Sequence, residues 1–215
     1  MTTRPPSTVK RGRGSLYGAL VALVIVLGIV AVVVSRGGSS GATAFEFGTV
    51  SVSGSPLPTL PDGATTDEAV GKSAPAITGT TLSGTNEAIT PGSGPMLVMF
   101  VAHWCPHCQR EVPLITSWLK ASGMPTDVTL RAVATATSKT LPNYPPSRWL
   151  SKATFPITTL ADDVANTAAM AYGLNAFPYF VALDKDGKVV TRATGELTRS
   201  QFEGLIGAAR TGKAA

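Results

Sequence analysis

Residues 96–108 read MLVMFVAHWCPHC, so an uninterrupted apolar run leads into two cysteines two residues apart, and the 215-residue chain holds no other cysteine. The run follows the turn residues Gly-Ser-Gly-Pro at 92–95 and has the length of a central buried strand. The stretch 106–121 reads as a helix. A strand that stops where a helix starts leaves Cys105 at the helix N-terminus. Free backbone N–H groups and the positive end of the peptide dipoles there favour a thiolate nucleophile. Cys108 lies one turn later on the same face, within reach to resolve a mixed disulfide, and is expected to be the more buried and less reactive of the two. Pro106 is tolerated because its missing N–H falls in the first turn. A bridge between residues this close constrains little of the unfolded chain, which makes a chemical role the better account of the pair.

The remaining pattern builds a domain around this segment. Val128–Ala134 and Ile157–Leu160 are further strand candidates. Tyr179–Leu183 and Lys188–Ala193 flank Asp184-Lys185-Asp186-Gly187, a hairpin turn in which glycine supplies the positive φ angle. Helical stretches are expected near 147–153, 163–172 and 198–210. In the last, Thr198 caps the start, Gln201 completes a capping box, and Phe202, Leu205 and Ile206 form the apolar face. Strands alternate with helices before a closing hairpin and helix, which predicts a layered α/β domain with a mixed sheet over residues 71–210 and a short tail at 211–215. Residues 35–70 read as a linker. They include SRGGSSG at 35–41 and the Pro-, Gly- and Thr-rich GSPLPTLPDGATTD at 54–67, which is expected to stay extended or lie over the domain surface.

Residues 16–34, LYGALVALVIVLGIVAVVV, carry no charge. As a helix they would span roughly 28 Å, close to the hydrocarbon thickness of a bilayer. Arg4, Lys10, Arg11 and Arg13 precede the run without an acidic residue, and only Arg36 follows closely. The positive-inside rule places residues 1–15 in the cytoplasm as a basic tail and residues 35–215 outside, with 16–34 as a single-pass anchor. A cleaved signal peptide, whose apolar core is normally shorter, would also export the domain. Beyond residue 13 the chain has 14 basic and 13 acidic side chains, so no basic face suggests nucleic-acid binding.

Around the cysteines, His107 is placed to hydrogen-bond to the Cys105 thiolate or stabilise it when charged. Trp104 is expected to form a flat wall beside the sulfurs. Glu111, one turn beyond Cys108, could relay a proton to the resolving thiol or be merely solvated. His103 reads as a surface residue, with a tuning role as the lesser alternative, and Pro113 should kink the helix. Phe177-Pro178 stands at the entry to a late strand, where a cis bond would fit. Tyr144 and Trp149 could frame a client groove or pack onto the sheet. Cys105, Cys108, His103 and His107 also fall within six residues, but a closed metal site usually gathers ligands from two segments, and no further Cys or His exists. No metal or other cofactor is therefore expected. The haem-attachment pattern fails because Gln109 follows Cys108.

These residues resemble the thioredoxin superfamily, and among its branches the chain is similar to the exported, membrane-anchored TlpA/ResA group. The likeness runs from Gly71-Lys72-Ser73-Ala74-Pro75 through LVMFVAHWCPHCQREVP at 97–113 to YGLNAFPYFVALDKDGKVV at 172–190 and the last helix. It implies a three-layer thioredoxin-like fold, a nucleophilic Cys105, a resolving Cys108, and a cis Pro178 that leaves the Phe177 backbone free to pair with substrate. It further implies a Glu111 that tunes the buried cysteine. The expected activity is extracytoplasmic thiol–disulfide exchange with exported protein thiols or disulfides, coupled to a membrane or extracytoplasmic redox partner. Two features depart from the pattern. Met99 stands where cytoplasmic thioredoxins carry a buried aspartate, and the inner dipeptide Pro106-His107 is that of DsbA-type oxidants. The dipeptide points to a potential of roughly −120 mV rather than the roughly −270 mV of thioredoxin, so direction stays open with a slight lean to oxidation or isomerisation. A reductant for cytochrome c maturation, a copper carrier and a non-catalytic tethered binding domain are the alternatives.

Overall fold

The computed structural model describes residues 45–63 and 66–214. The expected basic tail and membrane anchor at 1–34 lie outside them, and no described helix is long and apolar enough to cross a membrane.

Five strands form the main sheet: β4 (Met96–Val101), β5 (Thr129–Ala134), β6 (Thr159–Ala161), β7 (Tyr179–Leu183) and β8 (Val189–Thr194). Their order is β6-β5-β4-β7-β8. The β4–β5 and β5–β6 pairs are parallel, and β4–β7 and β7–β8 are antiparallel. The expected mixed sheet is thus present. β4 is central and buried at every position, which its unbroken apolar sequence requires.

Because side chains alternate along a strand, β4 feeds two cores. Leu97, Met99 and Val101 face helices α1 (Pro106–Ser122) and α4 (Arg199–Thr211), meeting Val112, Ile115, Phe202 and Leu205. Met96, Val98 and Phe100 face Tyr172, Tyr179 and helix α3 (Thr167–Ala171). A further helix, α2 (Pro146–Lys152), lies between β5 and β6 in sequence. The capping box at Thr198 and Gln201 forms as the sequence indicates. In the β7–β8 hairpin, Gly187 has φ +77°, and a Cβ there would lie 2.6 Å from the Gly92 nitrogen, so only glycine fits.

Three differences from the sequence reading have physical causes. First, a second, antiparallel sheet of β1 (Ser51–Ser53), β2 (Ala76–Thr80) and β3 (Asn86–Ile89) packs Ile77 and Ile89 into the second core. Second, α3 is shorter than expected over 163–172. Asn166 adopts φ +58°, and the side chains of Asp162 and Asp163 accept hydrogen bonds from the amides of Ala168 and Thr167, which fixes the helix start at 167.

Third, the domain begins well before Gly71. Residues 45–63 and 66–70 are wound onto it: Leu57 and Ala69 are buried, and the Leu57 and Leu60 amides donate to the Ala171 and Gly173 carbonyls. The clamp is Arg192 on β8. Its guanidinium pairs with both oxygens of Asp67 and also donates to the Pro58 carbonyl (2.7 Å) and the Tyr179 hydroxyl (2.9 Å). This part of the expected linker is therefore a strap belonging to the domain.

Candidate active site

β4 ends at Val101 and α1 starts at Pro106, so the intervening residues present the cysteines at a strand-to-helix junction. Cys105 is the N-cap residue, and Pro106 occupies the first turn. Cys105 is 6 % exposed and Cys108 fully buried, in the order the sequence indicates. Both are free thiols. Cys108 follows Cys105 by three residues in the first turn of α1. Burial pushes the Cys108 thiol far above its ordinary range, although the Ala102 amide donates to its sulfur at 3.5 Å. Cys108 therefore needs a base before it can attack.

The Phe177–Pro178 bond is cis, and the Phe177 carbonyl faces the Cys105 thiol at 4.0 Å. The Trp104 indole N–H donates to the Ala136 carbonyl at 2.7 Å, and its ring meets Phe177 edge-on with centroids 5.9 Å apart. Trp149 packs against the core, and Tyr144 lies edge-on to His103. Pro113 sits inside α1.

Glu111 is buried rather than solvated, and its two oxygens accept the Leu197 amide at 3.2 Å. Burial raises its carboxyl to about 7; the Leu197 hydrogen bond opposes that shift, and the negative charge of Glu196 adds to it. Met99 brings no carboxyl from β4, so Glu111 supplies the ionisable group next to Cys108 on the same helix face.

Two histidines differ from expectation. His103 is buried, not a surface residue. Its Nδ1 donates to the Pro142 carbonyl at 2.7 Å and its Nε2 accepts the Ser138 amide at 3.1 Å, a pattern only the neutral ring can make. The ring pins the 138–142 loop behind the site and has no nitrogen left for a metal or a thiolate. His107, expected to serve the Cys105 thiolate, is turned to Glu196, with Nδ1 2.6 Å from Oε1. Arg110 joins them: its Nε donates to both Glu196 oxygens at 3.0 and 3.1 Å, and its Nη2 lies 3.0 Å from His107 Nδ1. Hydrogen bonds from Arg110 and then His107 hold the Glu196 carboxyl down at about 2. Sequence reasoning missed Glu196 and Arg110. They stand 86 residues apart, and no local pattern couples them.

Among the described residues, no three Cys, His, Asp or Glu side chains converge as metal ligands. The chain is 28% identical over 137 residues to the thiol:disulfide interchange protein DsbE homolog of Paracoccus denitrificans, which covers 62% of this chain and 70% of that protein. It is 30% identical over 139 residues to the thiol-disulfide oxidoreductase ResA of Bacillus thuringiensis, covering 64% of this chain and 76% of the relative. The crystal structure of StoA from Bacillus subtilis superposes with a TM-score of 0.52 over 64% of this chain and 98% of that one, and at 19% identity this likeness shows the fold. The Redoxin family model matches residues 69–206, from the buried Ala69 to the final helix, and the chain belongs to that family.

Proposed function

We propose that this chain is a thiol-disulfide oxidoreductase, tethered to the membrane by residues 16–34, that reduces disulfides of exported proteins outside the cytoplasm. The observation that carries the exchange chemistry is the junction itself. Cys105 caps a helix and keeps a small exposed area, and Cys108 is sealed one turn behind it beside a buried carboxyl. The Cys105 sulfur attacks a client disulfide, forming a mixed disulfide and releasing one client thiol. Glu111 accepts the Cys108 proton, and Cys108 then attacks the Cys105 sulfur. The second client thiol leaves, and the pair is left as a disulfide holding the oxidation the client has lost. An extracytoplasmic or membrane redox partner must then return two electrons.

The surroundings of the sulfurs support the reducing direction. An oxidant needs a strongly stabilised reduced form. Here a carbonyl oxygen faces Cys105, the buried thiol of Cys108 resists ionisation, and His107 is engaged by Glu196. These features oppose the lean that the Pro106-His107 dipeptide gives on sequence alone. A metal-carrier role is disfavoured because both nitrogens of His103 are occupied.

Equilibration in dithiothreitol redox buffers tests this reading. One two-electron couple is expected, nearer to roughly −270 mV than to roughly −120 mV. A couple near the upper value would reverse the direction, and no couple at all would end the enzyme reading. Protease added to intact spheroplasts should cut the domain, and full protection would refute the location.

Glu111→Gln tests the relay. With a carboxyl near 7, the base form grows as pH rises through neutrality, so resolution of the mixed disulfide should accelerate over that range. In the glutamine variant that pH dependence disappears and resolution slows on the order of 100-fold. Stability responds separately. A carboxyl raised in the folded state contributes fully below its unfolded value and loses that contribution as pH rises through 7. Glu111→Gln should therefore be more stable than the wild type at pH 8 and gain little at pH 4, as read from denaturant midpoints.

A further inference from the structure

The loop between β8 and α4 places a carboxylate against Arg110 and His107 of the active-site helix. Glu196 accepts from both Arg110 and His107, and these three side chains lie at the protein surface on the Cys105 end of α1. Exposed ion pairs usually matter little, but a two-pronged Arg–carboxylate contact within a three-member cluster is the geometry in which they do. His107 and Arg110 follow Cys105 by two and five residues, in the first turns of the helix that it caps. Left free, Arg110 and a protonated His107 would stabilise a thiolate at Cys105, the feature that makes a dithiol pair oxidising.

We propose that Glu196 is a positioning residue that sets the redox poise of the Cys105–Cys108 pair, by holding Arg110 and His107 away from the nucleophilic sulfur and neutralising them. The mouth of the site thus combines an oxidant's dipeptide with a counter-charge that cancels it. His107 Nδ1 lies 2.6 Å from a Glu196 oxygen and 3.0 Å from Arg110 Nη2, so the three side chains form one cluster. Other charge near the sulfurs comes from Glu111 on α1, and the Phe177 carbonyl faces Cys105 from the segment before β7. Both oppose the thiolate, so the Glu196 cluster is the adjustable element.

This inference rests on the exchange reading above, and its test separates the two. Full-length wild type, Glu196→Gln and Arg110→Gln are equilibrated with dithiothreitol at pH 7. One dithiothreitol closes to its cyclic disulfide and passes two electrons to the Cys105–Cys108 disulfide. The two cysteines take up the released protons, or Cys105 retains its charge while one proton goes to solvent. Glu196→Gln should shift the equilibrium toward the protein dithiol about tenfold, equivalent to about 30 mV upward. Arg110→Gln should shift it the opposite way. Glu196→Asp should fall between wild type and Glu196→Gln. An equilibrium constant for Glu196→Gln within twofold of wild type, or a shift toward the disulfide, overturns the proposal. A wild type poised as an oxidant overturns only the reducing direction, because the difference between variants still decides the role of Glu196. A wild type with no couple overturns both.

Discussion

Cys105→Ser is expected to leave no disulfide exchange above the uncatalysed rate, whereas Cys108→Ser should stop the reaction halfway as an isolable mixed disulfide. The asymmetry follows from placement. Cys105 caps α1 and is the sulfur a client can reach, while Cys108 has no exposed surface. A serine hydroxyl at 105 is too weak an acid to supply the nucleophile. A serine at 108 leaves the first attack intact and removes the group that displaces the client. Incubating each variant with a disulfide-containing protein, followed by non-reducing electrophoresis, separates the outcomes. A covalent adduct should form with Cys108→Ser alone and dissolve on adding dithiothreitol. Adduct formation by Cys105→Ser would mean the roles are reversed.

Arg192→Met should cost about 3–5 kcal/mol, because it leaves Asp67 without its partner inside the strap. For a domain of this size, that lowers Tm by roughly 10 °C. The guanidinium is fully enclosed and the Asp67 side chain is 15% exposed, so water replaces little of what is lost. Burial alone would raise the Asp67 carboxyl, but the Arg192 and Ala69 hydrogen bonds outweigh it and hold it below its usual range. A depressed carboxyl contributes stability above its unfolded value, about 4, and loses it as pH falls through the folded value. The gap between wild type and Arg192→Met should therefore be full at pH 7 and close in strong acid. The double change Arg192→Met with Asp67→Leu should recover a large part of the loss, as replaced buried pairs often do. A single variant that melts within 2 °C of wild type, where roughly 10 °C is expected, would show that the strap contributes nothing to the domain.

The redox junction was legible because its determinants are local. An apolar run, a stop, two cysteines and a proline within one segment specify a strand, a helix start and the order of the thiols. The Asp-Lys-Asp-Gly hairpin and the Thr198 capping box are local in the same sense. What escaped reading depends on partners distant in sequence. Strands β1 to β3 are three to five residues long and take their meaning from pairing with one another. His103 is polar and looked exposed, yet the Pro142 carbonyl and Ser138 amide satisfy both nitrogens from a loop some forty residues away. His107 pointed to the thiolate by spacing, but a glutamate from the far end of the chain claims it. The composition of 54–67 suggests freedom, and nothing within it signals that Arg192 waits on β8.

That last clamp separates two boundaries that are easily taken as one. The recognisable family pattern begins at residue 69, after Pro58 and Asp67 have already been used. A fragment cut to the limits of the likeness would strand the Arg192 cation in an apolar interior with no counter-ion. For this protein, the stretch that identifies its ancestry is shorter than the stretch that holds the folded domain together.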